Sequence, residues 1–298
     1  MTVARSGFSA LLTPGLHAVF LNEFKTWSPE YTQIMNVETS AKQLEQDVLL
    51  TGLGTMGEKT EGSSVAYEDI SQGYTTTYTH ATYEKGVRIT QEMYEDDLYG
   101  PMKKLTTALA RSAKQRMEVN GANVLNNAFS TTTGLGADGL CLINSAHVLS
   151  VGGTQSNALS AAADLTTSSL QEAINVIEGC QDEKGLNVAL KSKLLVVPYT
   201  LQFTASELLD SQYKPGVADN DINALRNKGL TFTVNHYLTD NDAWFLLAEE
   251  HKLNWFWRVP LQFFKGNDFD TDDCKVKARM RFSAGFSDWR GVAGSAGV

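Results

Sequence analysis

Cysteine, proline and long apolar runs are scarce in this 298-residue chain, and each scarcity removes a class of protein. The 3 cysteines, Cys141, Cys180 and Cys274, are odd in number and far apart. They build neither a disulfide framework nor a metal knuckle, which points to a reducing cytoplasmic origin. The longest unbroken apolar stretches, such as Ala243–Ala248, fall far short of the about 20 residues needed to span a bilayer. Pro14, Gly15 and His17 interrupt the Phe8–Leu12 patch that follows Arg5, so no signal-peptide core forms. Positive charge is in the minority: 25 Lys and Arg face 34 Asp and Glu, a net charge of −9 and the wrong sign for a dedicated sequence-specific DNA reader. What is present, 42% hydrophobic and 20% charged residues, is ordinary globular composition. It predicts a soluble protein that works where it is made, with one large domain or two modest ones.

Catalytic and cofactor signatures are missing as well. Gly52-Leu-Gly54-Thr-Met-Gly57 and Gly134-Leu-Gly136-Ala-Asp-Gly139 match the dinucleotide spacing. That chemistry needs a strand before the glycines and a helix opening on the last one. The first is followed by a poor helix start, and the second runs from a helix into a strand, so both read as flexible connections. Asp268-Phe-Asp270-Thr-Asp272-Asp273 begins like a calcium loop, but has Asp273 where the turn glycine belongs and Arg279 in place of the bidentate glutamate. It reads as an acidic turn between strands. The five histidines (His17, His80, His147, His236 and His251) never fall in metal-site spacing. His147 could serve as an acid or base, although a lone loop histidine is more often structural. No cofactor, metal or catalytic residue is expected.

The pattern along the chain is that of α+β rather than a regular βαβ alternation. Thr13 and Pro14 open a helix on which Leu16, Val19, Phe20, Phe24 and Trp27 recur at helical spacing, an apolar face in need of a partner. Thr51–Gly73 is polar and glycine-rich, with almost nothing to bury, and is followed by the Thr- and Tyr-rich β stretch Tyr74–Ile89. Such a segment reads as a long two-stranded loop projecting from the body, stable only when laid on another surface, expectedly another copy of this chain. A helix over 101–129 follows, with Lys103, Lys104, Arg111 and Lys114 on one side. The plain reading of this basic stripe is a solvated face, and the functional one a surface that meets polyanion. Leu140–Asn144 reads as a short strand, Thr167–Asp182 and Thr200–Ser211 as helices, and Lys193–Pro198, Leu230–Val234, Ala243–Ala248, Asn254–Phe264 and Lys275–Ser283 as strands.

Five blocks in order resemble the major capsid (head) protein family of tailed bacteriophages, in its Mu-type major head subunit branch. They are Ile89–Tyr99, Leu142-Ile-Asn-Ser-Ala-His147, Leu194–Leu209, Asp242–Ala248 and Arg281-Phe-Ser-Ala-Gly-Phe-Ser-Asp-Trp-Arg290. The resemblance implies an N-terminal arm (1–45), an extended loop (46–89), a peripheral domain (90–193, with spine helix 101–129), an axial domain (194–254), and a return to the peripheral domain (255–298). It implies a non-enzymatic subunit that assembles through hexamers and pentamers into an icosahedral head enclosing double-stranded DNA, built in the host bacterial cytoplasm and ending in the virion. Partners would be the chain itself, a separate scaffolding protein (the arm begins almost at Met1), a portal, decoration proteins and packaged DNA touched non-specifically, with no membrane. By that analogy Lys103, Lys104, Arg111 and Lys114 face the DNA. Phe20, Phe24, Trp27, Lys59, Tyr74 and Tyr78 are expected at contacts between subunits, Lys59 being the only lysine near the loop tip. An encapsulin-like nanocompartment shell and a soluble α+β enzyme are the alternatives.

Overall fold

The computed structural model describes residues 18–25, 27–90, 101–213, 221–268 and 273–298, with side chains in the long helix from Lys104 onward. Thr13 and Pro14, the 91–99 part of the block leading into that helix, the Lys103 side chain and residues 269–272 of the acidic turn lie outside the described residues.

Two four-stranded sheets carry the body. The first has the order β1-β10-β11-β4, where β1 is Asn36–Thr39, β4 Ala81–Ile89, β10 Leu253–Asn267 and β11 Cys274–Phe286. β10 and β11 form a long antiparallel pair whose register shifts on either side of Val259, next to Pro260, which has no N–H to give a ladder. Alternation along β11 sends Val276, Ala278, Met280 and Phe282 inward, under the helix Pro101–Asn126. That helix buries Leu109, Ala113, Met117 and Leu125, one stripe at helical spacing.

The second sheet has the order β12-β9-β7-β8: β7 is Ser192–Pro198, β8 Thr231–Asn235, β9 Trp244–Ala248 and β12 Val292–Ser295. β9 is buried throughout because both its faces are covered. Phe245 and Leu247 join a central core with Tyr31, Met117, Trp255 and Phe282, whereas Trp244 and Leu246 pack with Leu170, Ile174 and Leu208 of the helices Thr167–Glu178 and Gln202–Asp210. The first of these helices starts in a capping box between Thr166 and Ser169. The sheet that holds most of 194–254 therefore also takes a strand from 292–295 and is covered by the helix of 167–178.

Three stretches differ from the sequence reading. The β stretch 74–89 is cut at His80 into β3 (Gln72–Thr79) and β4; only β3 belongs to the loop, where it pairs with β2 (Leu44–Leu50). The helices end earlier than expected, at Asn126, Glu178 and Asp210. Leu140–Asn144, buried at Cys141, Leu142 and Ile143, is not a strand. The Asn157 side chain takes the place of a neighbouring strand there, accepting from Asn144 N (2.9 Å) and donating to Leu142 O (2.8 Å).

Candidate assembly surfaces

The hairpin of β2 and β3 is antiparallel, with Leu44 opposite Thr79 and Leu50 opposite Gln72. Its root is fixed to the body. The Tyr78 hydroxyl lies 2.6 Å from Ser287 Oγ, its ring meets Phe256 edge to face at 4.9 Å, and burial pushes the phenol up to about 12. His80 is buried between Ser40 (3.1 Å) and Ser283 (3.0 Å), and burial, with Arg281 and Arg258 nearby, lowers its basicity. Beyond Thr51, which closes the ladder on Ser71, the chain to 71 has no regular structure. Glu68 folds this tip by accepting from Gly54 N (2.8 Å) and from Lys184 (2.7 Å).

Along this loop Leu50, Leu53, Met56, Val65, Tyr67 and Ile70 are all exposed, Met56 at 96% and Tyr67 at 93%. The sequence reading took the loop as nearly devoid of apolar side chains; it holds a spaced row of them. A two-stranded ribbon has no second layer on which to bury such a row. Its exposure marks a surface made to meet another.

The arm behaves differently. Phe20 in the helix 18–25 is buried at 4.9 Å from Phe263, beside Ile89, Leu109 and Val276. Phe24 and Trp27 pack edge to face at 6.0 Å against the central core. The expectation that this apolar face finds its partner on another chain is corrected: its partner is the same chain's long helix and first sheet. Tyr78 is likewise corrected to an internal anchor. Tyr74 is half-buried in the hairpin, and Lys59 is exposed at the loop tip.

The basic stripe divides. Lys104 is exposed. Arg111 reaches the arm, its Nε 2.9 Å from Glu23. Lys114 is buried, donates to the Glu23 carbonyl and sits 5.4 Å over the Trp27 ring, and desolvation lowers its pKa. As a DNA-facing residue Lys114 is therefore corrected: its ammonium is enclosed by the arm.

Sequence reasoning missed the joint one turn further along. Glu118 is fully buried on the long helix and accepts from Glu30 N (2.8 Å) and Tyr31 N (2.9 Å), so one carboxylate holds the start of the turn Tyr31–Ile34. Burial raises its pKa to about 7 against the opposing pull of those two amides. Next to it, a Cβ on Gly121 would lie 2.5 Å from Tyr31 Cβ, so only glycine admits the Tyr31 ring, which packs 4.4 Å from Trp255. A lone glutamate among helical polar residues gives no sequence signal of this role.

Where the two sheets meet, His147 is buried, bonded to Asp138 through Nδ1 (2.6 Å) and stacked 4.3 Å from Trp289. The Arg290 guanidinium lies 4.6 Å from the same indole and is bonded to buried Glu183 (2.8 Å), which accepts from Ser150 N and Oγ. His147 thus belongs to a buried structural network. Among the described residues no cluster of three His, Cys, Asp or Glu could hold a metal, and no helix is long and apolar enough to cross a membrane.

Residues 73–295 match a family described as Phage capsid protein. No curated protein matches the sequence. Among solved structures, the capsid of cyanophage P-SCSP1u aligns with a TM-score of 0.61 at 10% identity, over 91% of this chain and 88% of that one. The Microbacterium phage Oxtober96 chain aligns with a TM-score of 0.57 at 14% identity, over 90% and 91%. The virus-like particle from Pyrococcus furiosus aligns with a TM-score of 0.53 at 10% identity, over 94% and 97%. At such identities the similarity is one of fold, and the fold is that of tailed-phage major capsid proteins.

Proposed function

The chain belongs to the phage capsid protein family, a family of structural proteins and not of enzymes, and from that premise we propose how it builds a head. It is the major head subunit of a Mu-type tailed phage, forming hexamers and pentamers that close into an icosahedral shell around double-stranded DNA. Closed symmetry turns many weak contacts into one stable container. The observation that carries this reading is the loop, a hairpin with its apolar side chains in solvent and its root bolted to the first sheet. Laid on a neighbouring subunit, it buries what the single chain exposes. At about 25 cal/mol per Å2, burying only the Met56 and Tyr67 side chains contributes a few kcal/mol per contact, repeated around the shell.

The segments take the domain roles that the blocks suggest: arm (1–45), loop, peripheral domain around the long helix, and axial domain around β7, β8 and β9. Lys59 at the exposed tip and Tyr74 on the hairpin belong to the subunit contact. Lys103 and Lys104, with the exposed guanidinium of Arg111, are the part of the basic stripe left to face the genome, a sparse charge that offsets phosphate repulsion without gripping DNA. Assembly proceeds in the host cytoplasm with a scaffolding protein, a portal and decoration proteins as partners. A cargo shell of encapsulin type shares the fold, but family membership favours the phage head. Negative-stain microscopy and sedimentation of the expressed chain, with its scaffold where one is required, test the proposal. Megadalton particles or free capsomers are expected, and a monomer at all concentrations would overturn it.

A further inference from the structure

The long helix is covered by the arm on one flank only. Arg111, Lys114, Glu118 and Gly121 share the flank that the arm and the turn after it occupy. Ser112, Arg116 and Val119 recur at helical spacing on the opposite flank, and there the helix and β4 bound a groove of about 460 Å3. β4 is the edge strand of the first sheet and pairs with β11 alone, so among the described residues no further strand closes the groove on that side.

The floor of the groove is apolar, made by Leu109, Ala113, Leu261, Ala278 and Met280. Its rim is cationic. Tyr83 opposes Met280 and Lys85 opposes Ala278 across the β4–β11 ladder, so both side chains rise on the helix side of the sheet. Lys85 lies 3.2 Å from Ser112 Oγ, and the Arg116 guanidinium sits 4.5 Å over the Tyr83 ring. Both cations are exposed, and neither pairs with a carboxylate among the described residues. Glu84, the one acidic residue of the lining, alternates to the other face of its strand, where Arg279 (2.8 Å) and Lys277 (3.9 Å) hold it. An apolar trough with a few convergent polar groups at its edge is the make-up of a small-molecule site.

We propose that this groove binds a small apolar anion of the class of medium-chain or aromatic carboxylates. Its body lies on Leu109, Leu261 and Met280, and its carboxylate is held between Lys85 and Arg116. The cavity has the size of such ligands. A carboxylate has oxygens for both cations, and a guanidinium meets it as a bidentate fork. A phosphate backbone has no apolar body and would leave the floor in water. Residues 1–17 of the chain itself contain Arg5 and no Asp or Glu, the wrong charge for this rim. Once bound, the ligand bridges the long helix to the edge strand and stabilises the folded subunit as its concentration rises. The assembly reading is not needed for this proposal.

Decanoate tests the site on the full chain, by titration calorimetry and thermal unfolding below the micelle concentration, with decanol and decyltrimethylammonium as its uncharged and cationic counterparts. Saturable one-to-one binding of decanoate is expected, with a rise in unfolding temperature of about 3 °C or more at saturation. Decanol should bind at least about tenfold more weakly, and the cation not measurably. K85Q/R116Q should weaken decanoate by about tenfold or more and leave decanol unchanged. Ser112→Trp, which fills the groove and keeps both cations, should abolish binding of both. K275Q/K277Q, on the other face of the sheet, should bind as the parent does. Circular dichroism identifies any variant that fails to fold, and the three ligands on the parent chain then decide alone. Absence of saturable binding, or equal affinity for decanoate and decanol, overturns the proposal. So does normal decanoate binding by a folded K85Q/R116Q or Ser112→Trp, or an equal loss in K275Q/K277Q, which would make the binding one of general surface charge. A parent that binds no decanoate while Ser112→Trp loses particle yield also overturns it, because a protein segment then fills the groove.

Discussion

The arm and the loop both leave the body as thin segments, yet one is spent inside its own chain and the other is not. The helix 18–25 and the turn after it place Phe20, Phe24, Trp27 and Tyr31 against the long helix and first sheet, and three polar clamps hold them: Arg111 to Glu23, Lys114 to the Glu23 carbonyl, and Glu118 to the amides of residues 30 and 31. The loop has apolar residues of comparable size, but they alternate with glycine, serine and charge over a two-stranded ribbon. A helical face concentrates its apolar atoms into one stripe that a single groove can cover, whereas a ribbon spreads them along its length. What distinguishes a segment kept for a neighbour is therefore that nothing in its own chain has the shape to cover it.

The sharpest way to break this contrast is Phe20→Ala. If the arm is core, the substitution lowers the stability of the isolated chain by about 3–5 kcal/mol in denaturant unfolding, as for a buried aromatic elsewhere. A loss below about 0.5 kcal/mol would put the arm in the same class as the loop.

A second test uses Glu118. Its folded pKa of about 7 lies above the ordinary 4.5, so the native state holds that proton more tightly than the unfolded chain does. Its contribution is full below about pH 4.5 and is lost as pH rises to about 7, amounting to about 3 kcal/mol at most. Glu118→Gln should flatten this part of the stability–pH curve, and an unchanged slope would remove Glu118 from the joint.

The smallest effect on the isolated chain is expected from the loop. Tyr67→Ser should leave monomer stability within about 0.5 kcal/mol, measured on unassembled protein, while reducing particle yield. A clear destabilisation of the monomer would show that the ring is already covered at home.

Much of this was legible in residue order. The all-apolar Ala243–Ala248 read as a strand, the proline-free run after Pro101 as the long helix, and the glycines of 51–73 marked the tip; that the strand is buried on both faces came only with the structure. Leu140–Asn144 has a strand's composition, but its hydrogen bonds are completed by the side chain of Asn157, a partner that no periodicity reveals. The stripe of Lys103, Lys104, Arg111 and Lys114 was visible as charge, whereas the enclosure of Lys114 depends on where Trp27 lands in space. The same holds for Glu118 and Gly121, whose roles exist only once Tyr31 has docked. Local pattern specifies elements, and long-range packing assigns their side chains.

β12 adds a consequence for how the subunit is made. The central core joins Tyr31, Ile34 and Met35 to Trp255, Phe282 and Val292, and β12 completes its sheet by pairing with β9 from Val292 opposite Leu247 to Ser295 opposite Trp244. A ribosome must therefore release residues 292–295 before that core can close, so a nascent chain keeps Tyr31, Ile34 and Met35 waiting while everything up to Val292 is made. Closing so large a span is entropically slow. Mature subunits then enter the cell's pool later than their translation alone would set, and truncated products are poor competitors for a place in the shell.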